Sequence, residues 1–469
     1  MPAAPANVTA VDAGAVRDSA GASGYRGGLD LGLSRQAQPA AFDALTKAVV
    51  DQAVSHAWLL VGPSGVGQRE AARYLGAALN CEVHGGIAAP CLACTTCLQA
   101  LHGVHTAVRD FVPTGTEHRV ADVREQWLPM ATTTSIGGAR KVLRIVRADR
   151  MNEQAQNAFL KVLEEPPAST VWMLDAAEDA ALLDTIVSRC RRLDLRPWSQ
   201  PLLRGLLDRW CVAGDGDPGV GSGDEPSAAA LTVAAGRSRS APTISHVASP
   251  GDTERAALVR LAKGSPDVLR DLSTCATREL RRQVVGTATD LALFAPADAG
   301  GETTPRVSEL LAAVQESVLR VQLANKAELF ELGVMLGVHD RDGKKIRGGQ
   351  FPPGLEKREK QRHARLERDA QTGGIRLILD LLAAWVRDLL ALGAGSGAVG
   401  AGSRGDDALN HLDAADDLRR IARGIPSALG LIEVLAAIEE AHRGLEQNGS
   451  PKLMLERPLL RLVMALHVA

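Results

Sequence analysis

A short apolar run, Ala57 to Val61, leads into Gly62-Pro63-Ser64-Gly65-Val66-Gly67-Gln68-Arg69 and then into helical spacing from Glu70 to about Leu79. Strand, glycine loop and helix in that order commit the chain to a parallel α/β layer, because parallel strands need crossover helices and are buried on both faces. The glycine spacing fits the phosphate loop G-x-x-x-x-G-K-[ST], in which backbone N–H groups cradle phosphates. Its two reactive positions differ here: Gln68 replaces the lysine, and Arg69 replaces the hydroxyl that would hold Mg²⁺. An amide brings no cation to the phosphates, and a guanidinium repels a metal ion. Gly62, Gly65, Gly67, Gln68 and Arg69 therefore read as a degenerate loop that joins strand to helix without productive ATP binding.

The next feature is a cysteine cluster. Cys81, Cys91, Cys94 and Cys97 follow the pattern Cys-x9-Cys-x2-Cys-x2-Cys in a loop containing glycine and proline. Four thiolates fill a tetrahedral Zn²⁺ shell and leave no open position, so the spacing points to a structural metal site and not a catalytic one. His84, His102 and His105 lie close enough in sequence to be alternative ligands. No window of the chain approaches about 18 consecutive apolar residues, and the first 40 residues lack the pattern of a secretory signal. A cytoplasmic protein is expected, where clustered cysteines indicate metal more than disulfides. The formal net charge of −2 gives no global attraction to nucleic acid.

At 469 residues the chain is too long for one core. Residues 1–36 lack any sustained period and read as a disordered tail. From 37 to 197 the pattern alternates between helix and strand. A helix spans Ala40 to Gln52, another Val120 to Met130, and a strand runs from Lys141 to Val146. A helix from Asn152 to Leu163, with Asp149 at its entry, stops before Pro166-Pro167, and a strand covers Thr170 to Leu174. A small helical domain is expected over 198–285, interrupted by a disordered Gly/Ser/Ala/Pro-rich insertion at 213–253. Apolar repeats at three- and four-residue intervals in Glu309–Ala324, Ile375–Leu392 and Ile425–Leu445 predict an all-α unit over 286–469, with a Gly/Ala/Ser linker from Ala391 to Ser403. Within it, Arg341 to Arg368 holds ten Lys or Arg against four Asp or Glu, and the interspersed acids favour a solvated helix face over a DNA contact.

The run Ile186-Val187-Ser188-Arg189-Cys190, preceded by Asn157 to Pro167, places an arginine after a short apolar segment, where its guanidinium would project outward. Taken with the glycine loop and the four cysteines, these segments occur in the order found in bacterial clamp-loader subunits of the AAA+ class, which the chain resembles from about Ala40 to Pro197. The resemblance implies an AAA+ domain with an inserted zinc module at 81–97, then a helical lid domain, then an all-α collar. It implies that Arg189, positioned by Ser188 and Cys190, is an arginine finger that serves a neighbouring subunit's ATP in trans. By the family's pattern, Val146 and Arg147 stand where metal-binding and catalytic acids would be. Ala176 or Ala177 stands at a polar sensor position, and Asp267 stands at a second sensor arginine.

Such a chain gives an arginine and does not itself hydrolyse ATP. The implied partners are a delta subunit and ATP-hydrolysing gamma or tau subunits, with the sliding β-clamp and primer–template DNA met through the complex. No membrane contact is implied. Two other readings predict different behaviour. An autonomous AAA+ ATPase would need Arg69 or Lys161 to replace the missing lysine. A DNA-binding zinc protein would bind DNA alone, in a salt-sensitive way.

Overall fold

The computed structural model describes residues 31–103, 105–113, 117–133, 140–212, 250–293, 308–316, 318, 319, 322, 355–394, 409–425, 427–446 and 449–467. Five parallel strands form one sheet in the order β2-β3-β4-β1-β5: β1 is Ala57–Val61, β2 Val108–Phe111, β3 Lys141–Ile145, β4 Thr170–Ala176 and β5 Arg191–Asp194. β1 and β4, central in that order, are almost wholly buried, as expected for strands covered on both faces. β5 closes one edge with exposed Arg191, Arg192 and Asp194, charges that discourage further pairing.

Alternation along each strand divides two cores. On one face Trp58, Leu60 and Met173 pack with Phe42 and Leu45 of the helix Pro39–Val50 and with Tyr74 and Leu75 of the helix Gln68–Leu79. On the other, Leu59, Trp172 and Leu174 meet Trp127 and Phe159. Phe159 sits edge-on to Trp172 at 5.0 Å and to Trp127 at 5.8 Å, the geometry that aromatic quadrupoles favour.

Several expected boundaries shift. Residues 31–36, placed in the tail, belong to a helix, Leu31–Ala37, because Leu33 is buried in the first core. The next residue, Gln38, ties this entry down: its amide donates to the carbonyls of Val66 (2.9 Å) and Arg196 (2.6 Å) and accepts from Arg196 N–H (3.1 Å). The helix after β1 starts at Gln68, with Gly67 as its N-cap. The helical run over 120–132 contains a π-helical turn, Val123–Trp127, and reaches past Met130 to Thr132. The helix Glu153–Glu164 is capped by Asn152, whose side chain accepts from Ala155 N–H at 2.9 Å, and not by Asp149, which lies in a separate 3₁₀ turn. β3 ends at Ile145, so Val146 falls outside it.

Beyond the sheet, Gln200–Val212, Asp252–Leu261 and Pro266–Ser273 form a small helical group. The insertion expected to end at 253 is ordered from 250, since Asp252 already opens a helix; residues 213–249 lie outside the described ones. The boundary expected at 285/286 falls inside one continuous helix, Cys275–Leu293. Leu355–Ala394, Ala415–Ala422, Ala428–Glu446 and Pro451–His467 make up the helical remainder, and the first of these carries helix into the expected linker as far as Ala394. Of the expected basic run, residues 341–354 lie outside the described ones.

Because Phe159 fills the space between Trp127 and Trp172, Phe159→Ala should lower the free energy of unfolding by about 3–5 kcal/mol in urea denaturation, whereas Val50→Ala, at an exposed site, should change it by less than about 0.5 kcal/mol.

Candidate functional site: a filled phosphate loop beside an exposed arginine

The glycine loop crosses from β1 to the following helix at the end of the sheet, where an α/β domain presents a phosphate site. In this chain the loop is occupied by its own side chains. Gln68 is buried and folds back: its Oε1 accepts from Val66 N–H at 3.0 Å, and its Nε2 donates to the carbonyls of Pro63 (2.6 Å) and Gly62 (3.4 Å). One N–H of the loop is thereby already satisfied within the chain. The carbonyl of Val66 also accepts from the indole N–H of Trp198 at 2.9 Å.

Arg69 turns toward the small helical group. Its Nη2 meets Asp267 Oδ1 at 2.5 Å, and Arg270 Nη2 meets the same oxygen at 2.6 Å. Two of the positions read as departing from the ATPase pattern, Arg69 after the loop and Asp267 at the start of the helix Pro266–Ser273, are therefore ion-paired to each other. Ser265 caps that helix and donates to Ser64 O at 3.1 Å. Gly65 lies so close beneath it, at φ +78°, that a Cβ there would come within 2.7 Å of Asp267 Cβ and of Ser265 Oγ. Only glycine permits this contact.

A second ion-pair group lies across β2, β3 and β4. Arg144 donates to Asp175 Oδ2 through Nε (2.8 Å) and Nη2 (2.6 Å), and its Nη1 meets Asp110 Oδ2 at 3.2 Å. Two carboxylates hold the guanidinium charge and raise its pKa. Asp175 is fully enclosed and has an unpartnered Oδ1, so burial pushes its carboxyl up to about 6 despite Arg144. Glu70, also enclosed, is raised by the same desolvation, with Arg69 opposing. These pairs were not foreseen from the sequence. Alternation on β3 and β4 puts Arg144 and Asp175 on one face, but nothing in their spacing announces a partnership.

The other expected positions are also placed. Arg147 takes a left-handed conformation at φ 57° after β3, Val146 O accepts from His118 Nε2 at 2.8 Å, Ala176 ends β4 buried, and Ala177 is exposed. No carboxylate stands at these positions.

Arg189 follows the short helix Asp184–Val187 and is partly exposed, its side chain 37% accessible. Its Nη1 donates to Thr185 O at 3.0 Å and its Nη2 to Glu164 Oε1 at 3.1 Å. Ser188 is exposed and donates to Thr185 O at 3.2 Å. Cys190 packs against the second core, and burial pushes its thiol up to about 12, which leaves it an apolar anchor and not a nucleophile.

The sulfurs of Cys81, Cys91, Cys94 and Cys97 lie within 4.8 Å of one another and could hold a metal ion. Cys94 N–H points to Cys91 Sγ (3.3 Å) and Cys97 N–H to Cys94 Sγ (3.4 Å), contacts that stabilise thiolates. His84 Nδ1 instead faces Ala89 O at 2.6 Å, and His105 Nδ1 accepts from Ala107 N–H, so neither ring joins the sulfurs.

A five-stranded parallel sheet with a strand–glycine loop–helix unit and a helical group laid against the loop defines an AAA+-like module. The family model described as "DNA polymerase III, delta subunit" matches residues 37–199. Over that domain the chain is similar to delta-prime and other clamp-loader subunits of DNA polymerase III. It is 32% identical to DNA polymerase III subunit delta' of Bacillus subtilis, over 34% of this chain and 48% of that one. It is 38% identical to the Pseudomonas aeruginosa delta' subunit, over 29% and 42%, and 31% identical to the B. subtilis tau subunit, over 35% and 29%. The chain thus spans less than half the length of these relatives. A solved gamma subunit-related protein of Thermotoga maritima covers 85% of this chain and 99% of its own at 15% identity, with a TM-score of only 0.34. Among the described residues no helix is long and apolar enough to cross a membrane.

Because Asp267 joins two arginines, Asp267→Ala should cost about 1–2 kcal/mol in urea denaturation, and Asp267→Arg more. The reciprocal pair Arg69→Asp with Asp267→Arg should recover part of the loss.

Proposed function

We propose that this chain is a delta-prime-type clamp-loader subunit that does not hydrolyse ATP and lends Arg189 to ATP bound on a neighbouring gamma or tau subunit. The observation that carries this reading is the contrast between the two sites. The chain's own phosphate loop is filled by Gln68 and closed by the Arg69–Asp267–Arg270 contact, while Arg189 stays at the surface with two of its five N–H groups engaged. A planar, permanently charged guanidinium matches phosphate oxygens. Placed against a neighbour's γ-phosphate, it would stabilise charge that develops as the bond to the leaving group breaks. Ser188 and Cys190 position it, the first through Thr185 O and the second by packing into the core.

In this reading a delta subunit completes the ring, and the assembly opens a sliding β-clamp and sets it on primer–template DNA in the cytoplasm. An autonomous ATPase has less support: Arg69 is committed to Asp267, and Lys161 is exposed on the helix Glu153–Glu164. Equilibrium ATP binding to the purified chain separates the two, since micromolar affinity with turnover overturns the proposal.

The four cysteines fit Zn²⁺ by donor chemistry. A Zn–S bond of about 2.3 Å gives sulfur separations near about 3.8 Å in a tetrahedron, and Cys91 Sγ and Cys97 Sγ are 3.9 Å apart. The ion would staple the loop to the helix Thr95–His102 and take no part in phosphoryl transfer. Metal analysis of the purified chain should find about one zinc per molecule; chelation or Cys94→Ser should release it and speed amide exchange across 81–102 while leaving the sheet protected.

In the reconstituted complex, Arg189→Ala should reduce DNA-stimulated ATP hydrolysis at the site it serves by about 10³-fold, the lower end of the range for a lost arginine finger. Size-exclusion chromatography should show the assembly intact. Unchanged hydrolysis would reject the finger role.

A further inference from the structure

Arg189 is held between the C-terminal ends of two helices. Thr185 O, in the last turn of Asp184–Val187, takes one N–H, and Glu164, the last residue of Glu153–Glu164 before Pro166-Pro167, takes another through its carboxylate at 3.1 Å. Both side chains are open to water, 37% and 53% exposed, so the contact is a surface ion pair that neighbouring anions can compete away. Glu164 could not stay beside this guanidinium if a triphosphate approached, because like charges repel at that range.

We infer that Glu164 is a positioning residue for Arg189: it parks the guanidinium over the end of Asp184–Val187 and gives it up when the γ-phosphate of a neighbour competes. This rests on the finger role proposed above. The parked state lowers the fraction of arginine ready to engage, so Glu164 restrains hydrolysis when the ring is not closed on DNA. The helix stop at Pro166-Pro167 fixes where the carboxylate can reach. Its weakness suits the task, since a stronger pair would hold the finger back in the closed ring as well.

Two measurements test it. In the isolated chain, Glu164→Gln should speed modification of Arg189 by phenylglyoxal, followed by peptide mass spectrometry, by about 2–5-fold, the upper figure corresponding to about 1 kcal/mol. Arg192, paired with Asp179 and Asp194, serves as the internal control and should not change. In the reconstituted complex without DNA, Glu164→Gln should raise ATP hydrolysis by a similar factor, Glu164→Asp should retain part of the restraint, and Glu164→Gln should be silent when Arg189 is already alanine. An unchanged modification rate overturns the inference, as does an equal effect of Glu164→Gln in both backgrounds, which marks a structural role. If Arg189→Ala itself leaves hydrolysis unchanged, the finger role fails, and the positioning role falls with it; a faster modification with an active finger but unaltered hydrolysis overturns the restraint alone.

Discussion

The carboxylate of Asp267, with the hydroxyl of Ser265, holds the helical group against the glycine loop. It lies between Arg69 and Arg270, and the main chain around it is pressed onto Gly65. In an ATPase that space would be shared by phosphates, a metal ion and cations from both sides. Here Arg69 and Arg270 are both paired with a carboxylate of the chain itself. Each pair is modest because its groups remain partly accessible to water. The arrangement gains from being joined to buried hydrogen bonds at Gln68, Gln38 and Trp198, all converging on the same loop.

The glycine loop and the exposed arginine are set by the same pair of strands. β1 and β5 are adjacent in the sheet, so the glycine loop after β1 and the Ser188–Cys190 turn before β5 lie at opposite ends of neighbouring strands. One end faces the helical group and is closed by it. The other ends in a short helix whose last carbonyls are open to an arginine side chain. The sheet keeps the glycine loop and the Ser188–Cys190 turn apart.

Much of this was legible in the sequence. β1 was expected at its observed bounds, and the glycine loop, the cysteine spacing and the Ser188-Arg189-Cys190 turn each reported local geometry through residue types that few conformations accept. The misreadings were matters of tertiary contact. Residues 31–36 seemed featureless because Leu33 is the one deeply buried apolar side chain of Leu31–Ala37. Asp149 and Asn152 are both good caps, and only the fold decides between them. The ion pairs at Arg69 and Arg144 join residues 198 and 31 positions apart; Arg69 and Asp267, each read separately as a departure from a pattern, are complementary when they meet, and the Arg144 pair was not read at all.

The helix Cys275–Leu293 crosses the place where two domains were expected to part. Near its start, Arg278 forms a two-pronged pair with Glu254 of the small helical group, and one turn on, Arg281 does the same with Asp413 of the C-terminal helices. One continuous helix is thus clamped on both sides. The same helix thereby ties the group that rests on the glycine loop to helices some 130 residues further along the chain.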